Sequence, residues 1–219
     1  RERAATNILI DSIYQKSSRP VSFTPIILNQ LEKEGIFYRK RDPKQSTDFS
    51  FSRFLVPKLM KYEGWAIFMD CDMLCKYDID ELWKLKDDNF SVMCVKHEHE
   101  PQDKTKFLGE PQTSYPKKNW SSLMLINCSK CRKLNIEYVN SASGLDLHRF
   151  NWLDNDNEIG EIKGTWNSLV EVSNNNNNAS LIHWTLGGPW FKEQRDYEDV
   201  LTDKWFKARE ESMRLYENE

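Results

Sequence analysis

Residues 65–72 read Trp65-Ala66-Ile67-Phe68-Met69-Asp70-Cys71-Asp72, and this stretch decides the fold. Gly64 ends a turn just before it. Five apolar residues in a row, bounded by turn signals, predict a short strand buried on both faces. Asp78-Ile79-Asp80-Glu81-Leu82-Trp83 follows and reads as the start of a helix, with Leu82 and Trp83 facing inward. A buried strand that feeds a helix belongs to an α/β sheet. In such sheets ligands bind beyond the carboxyl ends of the strands. Asp70 is therefore the place to look for chemistry.

Working outward, residues 4–17 carry Ala5, Ile8, Leu9, Ile13 and Tyr14 at helical spacing, and Pro20 closes that helix. Val21–Leu28 is rich in β-formers and is expected to be a strand, made irregular by Pro25. Leu31–Gly35 reads as a short helical connection and Arg39–Asp48 as a polar loop. Thr47 or Asp48 can cap a helix carrying Phe49, Phe51, Phe54, Leu55 and Leu59, which Pro57 should kink or restart. Phe90–Val95, Ser122–Ile126 and Ser180–Thr185 are further strands. His97–Asn119 is too long and polar for an ordinary connection and is expected to be a functional loop. The run Asn174–Asn178 reads as an exposed loop. Residues 141–167 show little periodicity and give no assignment. Leu201, Trp205, Ala208, Met213 and Tyr216 predict a C-terminal helix within 197–219. Alternation of strands and helices implies a largely parallel sheet.

Composition narrows the function. With 12% aromatic residues the chain is not disordered. The net charge of −3 argues against a general nucleic-acid binder. The longest apolar run, Trp65–Met69, is far short of the roughly 18 residues of a membrane helix. Five scattered cysteines do not form a disulfide framework, so reduced thiols and a cytoplasmic setting are expected. Cys128-x-x-Cys131 has zinc-like spacing, but no second pair follows it.

Three pieces can carry chemistry. In the first, Asp70 and Asp72 lie two apart, so an extended backbone points both carboxylates the same way. Unpaired, they repel, and a divalent cation relieves that cost. A lone D-x-D more often caps a turn; the apolar strand before it and the helix start after it favour the site. An EF-hand is excluded because Cys75 stands where that loop needs glycine. The second piece is His183-Trp184-Thr185-Leu186-Gly187-Gly188-Pro189-Trp190. Glycine is scarce here, eight in 219 residues, and Gly187-Gly188 is the one adjacent pair. Such a turn lets backbone N–H groups approach a ligand closely. His183 reads as a core histidine or as a third metal ligand. The third piece is Arg53, a surface arginine or a phosphate contact.

Phe51–Trp83 resembles the heart of glycosyltransferase family 8, which includes glycogenin and bacterial lipopolysaccharide galactosyltransferases. The likeness extends to residues 118–131, KNWSSLMLINCSKC, and to residues 183–191, HWTLGGPWF. It implies a GT-A-type nucleotide-diphospho-sugar transferase fold, α/β with a mostly parallel central sheet flanked by helices, in one domain over 1–219. It implies transfer of a sugar from a nucleotide-diphosphate donor, UDP-linked, to an acceptor hydroxyl with retention. Asp70, Asp72 and His183 would then hold Mn²⁺ or Mg²⁺. Arg53, Asp70, Cys71, Gly187 and Gly188 would bind the donor. His97, Trp120, Ser121, His148 and Arg149 are candidates on the sugar and acceptor side. Asp146 and Asp154 are the nearby carboxylates to weigh as a nucleophile. The partners implied are the nucleotide-sugar donor and a glycan, lipid or protein acceptor.

The sequence also departs from that family. The family's first strand is expected to precede Arg1. The segment after His183 is one residue short and lacks a Lys before Pro189-Trp190, with Lys192 as the nearest substitute. Trp120-Ser121-Ser122 replaces Asn-Ser-Gly, and Leu147–Trp152 stands where Asp-Gln-Asp would be. A sugar-nucleotide pyrophosphorylase and a non-catalytic carbohydrate-binding module remain alternatives. The first would want a Gly-rich basic loop. The second leaves the D-x-D and His183 together unexplained.

Overall fold

The computed structural model describes residues 2–41, 47, 49–98, 116–170, 178–194 and 200–213. Asp48 as a cap, most of the expected loop 97–119 and most of the Asn run lie outside them. The chain divides into two compact units. One comprises Arg1–Phe23, Asp70–Lys84 and Lys163–Glu219, the other Thr24–Met69 and Leu85–Ile162.

The Thr24–Met69/Leu85–Ile162 unit holds a four-stranded sheet. Its strands are β1 (Trp65–Met69), β3 (Val92–Cys94), β4 (Leu123–Asn127) and β5 (Ile159–Glu161), in the order β1-β4-β3-β5. β1 pairs antiparallel with β4, Ile67 opposite Leu125, and β4 antiparallel with β3, Met93 opposite Leu125. β3 and β5 run parallel, Met93 opposite Gly160. β4 is buried along its whole length, whereas β1 stands at the sheet edge and is half-buried. The expectation that β1 is covered on both faces is thereby corrected. Pro57 starts helix α3 (Val56–Leu59), which continues a 3-10 turn over Ser52–Leu55. Helices α2 (Leu28–Lys33), α5 (Ile136–Ser141) and α6 (Gly144–His148) complete the unit. Phe51, Phe54, Leu55, Met124, Ile126, Leu147, Phe150 and Trp152 form its core. Residues 20–27 are not a strand. Pro20 and Pro25 each remove a backbone donor that a ladder would need.

The other unit is built on a three-stranded sheet of β2 (Met73–Cys75), β6 (Ser168–Leu169) and β7 (Leu181–His183), in the order β2-β7-β6. β2 and β7 are antiparallel with Met73 opposite His183. β6 and β7 are parallel with Leu169 opposite His183. Helix α1 (Arg3–Lys16) buries Ala5, Ile8, Leu9 and Ile13 of the stripe expected of it, while Tyr14 is exposed. Helix α4 (Ile79–Trp83) is capped by Asp78, whose Oδ1 accepts from the Asp80 N–H at 3.0 Å. Helix α7 (Val200–Ser212) adds Leu201 and Trp205 to a cluster with Ile8, Leu74, Ile182 and Trp184.

The α/β architecture stands. The pairing, however, is mixed: three of the five described strand pairs are antiparallel, so the sheets are not mostly parallel. Alternating elements suggested crossovers, yet β4 joins β1 and β3 as an antiparallel neighbour of both. No helix among the described residues is long and apolar enough to cross a membrane.

Candidate active site

β1 ends at Met69, and β2 begins at Met73. Asp70, Cys71 and Asp72 occupy the bend between them, not an extended segment. The bend is tied down where the Trp184 N–H donates to the Asp72 carbonyl at 3.0 Å. That bond continues the β2–β7 register and brings His183 alongside. One ligand atom from each of Asp70, Asp72 and His183 lies within 4.8 Å of the others. His183 Nε2 is 3.2 Å from Asp72 Oδ1. His183 is 2% exposed, while Asp70 and Asp72 are half-buried, so the group opens toward solvent on its carboxylate side.

The local electrostatics are strongly negative. Burial, followed by the charges of Asp72 and Asp70, pushes the Glu2 carboxyl up from its ordinary value to about 7. Burial and the same acidic neighbours hold the Cys71 thiol well above its usual range. Cys71 Sγ is 3.9 Å from Glu2 Oε2. Two carboxylates and an imidazole nitrogen, in a region of excess negative charge, suit a hard or borderline divalent cation such as Mn²⁺ or Mg²⁺.

The Gly187-Gly188 turn lies in the same unit. Gly187 has φ +105°, a conformation that favours glycine. Gly188 is required for a different reason: a Cβ there would overlap the Trp190 ring. Trp190 packs in turn against Trp184 and Trp205, with ring centroids 6.0 and 5.7 Å away.

The remaining sequence candidates fall in the other unit, where three of them join in one network. Arg53 is buried rather than on the surface. Its Nε donates to the Ser50 carbonyl at 2.8 Å and its Nη1 to the Ser121 carbonyl at 3.0 Å. The Ser121 hydroxyl is 2.8 Å from His148 Nδ1. The His148 ring rests against Phe54 and Phe51, with centroids 5.2 and 5.6 Å away. Trp120 Nε1 donates to the His97 carbonyl at 3.0 Å, and Lys117 Nζ donates to the Arg149 carbonyl at 2.8 Å. Asp146 receives hydrogen bonds from the Ser143 hydroxyl and from Asn151 Nδ2, which hold its carboxyl below the usual range. Asp154 is exposed. Cys128 and Cys131 are buried, their thiols directed at the Ile126 and Ser91 carbonyls.

Two residues at the acidic group were not found in the sequence. Glu2 stands at the N-cap position of α1 without a side-chain cap, in a stretch with no motif. Asn167 places its Oδ1 2.8 Å from His183 Nδ1 and is fully buried. It ends residues 141–167, where no period could be read.

Known structures share this arrangement of elements. The galactosyltransferase LgtC, solved with donor and acceptor sugar analogues, superposes with a TM-score of 0.57 at 12% identity, over 98% of this chain and 94% of its own. The bifunctional glycosyltransferase WbbM gives 0.60 at 14% identity, over 95% of this chain. The chain spans about half of WbbM, 47% of its length. These likenesses define the fold as that of the GT-A glycosyltransferases. The model of Glycosyl transferase family 8 matches residues 9–194, and the chain belongs to that family and is a glycosyltransferase. Protein CDI of Arabidopsis thaliana is 45% identical over 218 residues, covering 96% of this chain and 83% of that protein.

Proposed function

We propose that this glycosyltransferase takes a hexose from a nucleotide-diphosphate donor, UDP-linked, and passes it with retention to an acceptor hydroxyl in a reaction that needs Mn²⁺ or Mg²⁺. The observation that carries this reading is the convergence of Asp70, Asp72 and His183 to within 4.8 Å. These three residues would hold the cation, in a region where burial and then the acidic neighbours already raise Glu2. When bound, the cation supplies Lewis-acid neutralisation of the charge that develops on the leaving diphosphate.

The chain's own residues supply the rest. The Gly187-Gly188 turn offers main-chain approach to the diphosphate through Gly187, whose φ of +105° favours glycine, while the Trp190 ring fills the space beside Gly188. Cys71, held between the two aspartates, lies on the donor side. Arg53 serves by holding the Ser121 segment, to whose carbonyl its guanidinium donates. Trp120, Ser121, His148, His97 and Arg149 form the sugar and acceptor side. Because both oxygens of Asp146 are engaged at the start of α6, we favour a same-face attack guided by the leaving phosphate over a nucleophilic carboxylate. The acceptor hydroxyl gains most from being held close to the anomeric carbon.

The test is Asp72→Asn. Removing one carboxylate ligand forfeits charge stabilisation of several kcal/mol, so Mn²⁺-dependent release of UDP from UDP-glucose or UDP-galactose should fall at least ~100-fold. The thermal unfolding midpoint should hold. Metal-dependent turnover at the wild-type rate in this variant would sink the proposal.

A further inference from the structure

We infer that Asn167 is a positioning residue that fixes the tautomer of His183, holding the ring proton on Nδ1 and leaving the Nε2 lone pair turned toward Asp72 as a ligand. The inference rests on the reading of Asp70, Asp72 and His183 as a cation site. It adds a residue that touches no metal and that the sequence motifs did not contain.

The placement follows from the sheet. Asn167 closes the 3-10 turn Gly164–Asn167 and immediately precedes β6. β6 runs parallel to β7 with Leu169 opposite His183, so the chain entering β6 passes beside the histidine. β2 runs along the other edge of β7, and Asp72 immediately precedes it. The imidazole thus reaches from one flank to the other. Its Nδ1 is 2.8 Å from Asn167 Oδ1, and its Nε2 is 3.2 Å from Asp72 Oδ1. An amide oxygen has no hydrogen to give, so the hydrogen in the first contact belongs to Nδ1. With a cation bound the imidazole is neutral and carries a single N–H, so a hydrogen held on Nδ1 leaves the Nε2 lone pair to the metal. Asn167 is 0% exposed and His183 2%, so bulk water does not compete for that bond.

The residue type fits the surroundings. An aspartate at 167 would also accept from Nδ1, but it would add another negative charge to a neighbourhood that already holds Asp70, Asp72 and Glu2. Asparagine supplies the acceptor without the charge. In metal sites, groups that orient a ligand histidine through its other nitrogen typically affect metal affinity 10–100-fold.

Two measurements on the full chain test this. Long-range ¹⁵N–¹H NMR of the wild type saturated with diamagnetic Mg²⁺, with His183→Gln to assign the resonance, should show the hydrogen on Nδ1 and none on Nε2. A hydrogen on Nε2, donated to Asp72, would overturn the inference whether or not any variant folds. Mn²⁺ titration followed by EPR, with no nucleotide present, should show Asn167→Leu weakened about 10–100-fold. Asn167→Asp should recover most of that loss. Asn167→Leu binding Mn²⁺ as tightly as wild type would defeat the positioning role and leave the cation site standing. Failure of the wild type itself to bind Mn²⁺ would defeat both. A purely packing role would lower the melting temperature of both variants without separating them in Mn²⁺ affinity.

Discussion

Gly188→Ala isolates why the Gly-Gly turn has its composition. A Cβ built at Gly188 would lie 3.0 Å from Trp190 Cε3 and closer still to two other carbons of the same ring. The ring has little room to retreat. It meets Trp184 edge-on at 82° and lies 5.7 Å from Trp205, and those two residues are 4% and 2% exposed. Overpacking of this kind costs about 1–3 kcal/mol. For a chain of this size that corresponds to a fall of ~2–12 °C in the unfolding midpoint. The assay is differential scanning calorimetry without ligand, run as a double-mutant cycle with Trp190→Leu. The alanine should cost little once the indole is gone, so most of the penalty should emerge as coupling between the two positions. Gly187→Ala is the control. Its φ of +105° makes any side chain there strained, costing about 1–2 kcal/mol irrespective of position 190. An unchanged midpoint for Gly188→Ala, or an equal loss in both backgrounds, would refute the packing argument and leave close approach to a ligand as the reason for the glycine.

Two further expectations concern the unit that holds β4. Asn140 stitches residues 36–39 to α5: its Oδ1 accepts from the Tyr38 and Arg39 N–H groups, and its Nδ2 donates to the Ile36 and Ile136 carbonyls. Asn140→Ala should cost about 1–3 kcal/mol in chemical denaturation; a loss within error would show that water replaces the stitch freely. Glu158 is held below its ordinary value of 4.5, first by the Ser91 hydroxyl and also by the Asp154 and Asn155 N–H groups. A depressed acid stabilises the fold above its unfolded pKa, and that contribution fades as pH falls through the folded value. The stability gap between wild type and Glu158→Gln should therefore stay level from about pH 7 to about pH 5 and narrow below 4.5. A gap that widens on acidification would contradict the sign.

What the sequence disclosed depended on how local the determining physics was. β1 was legible because five apolar residues follow Gly64, and α1 because its stripe repeats over 14 residues. β5 was not. It has three residues, its centre is Gly160, and Glu161 is exposed. Its place is set by Phe90 and Met93, whose side chains occupy the space a Cβ at Gly160 would need. Val21–Leu28 misled in the opposite direction, since its β-forming side chains were outweighed by two prolines. Arg53 read as a surface arginine or a phosphate contact because an α-helix was assumed. The 3-10 turn aims it at the Ser50 and Ser121 carbonyls instead.

The two halves of the acidic site were each visible as short motifs, yet their meeting is a property of register. Asp72 and His183 are brought together by one antiparallel pairing, Met73 with His183, and by the Trp184 N–H that extends it to the Asp72 carbonyl. A slip of one residue in that pairing would turn His183 to the opposite face of the sheet. The largely parallel sheet inferred from alternating elements would not have produced this contact, because it depends on β2 and β7 running in opposite directions. The error in strand direction and the choice of Asp70, Asp72 and His183 as candidates are thus independent. Ligand identity is written in side-chain chemistry, whereas strand direction is set by long-range pairing, in which Ile8, Leu74, Ile182 and Trp184 must share one cluster. Variants that loosen this cluster without touching a ligand, Ile182→Ala first among them, should therefore weaken Mn²⁺ binding together with stability, whereas Asp72→Asn should separate the two.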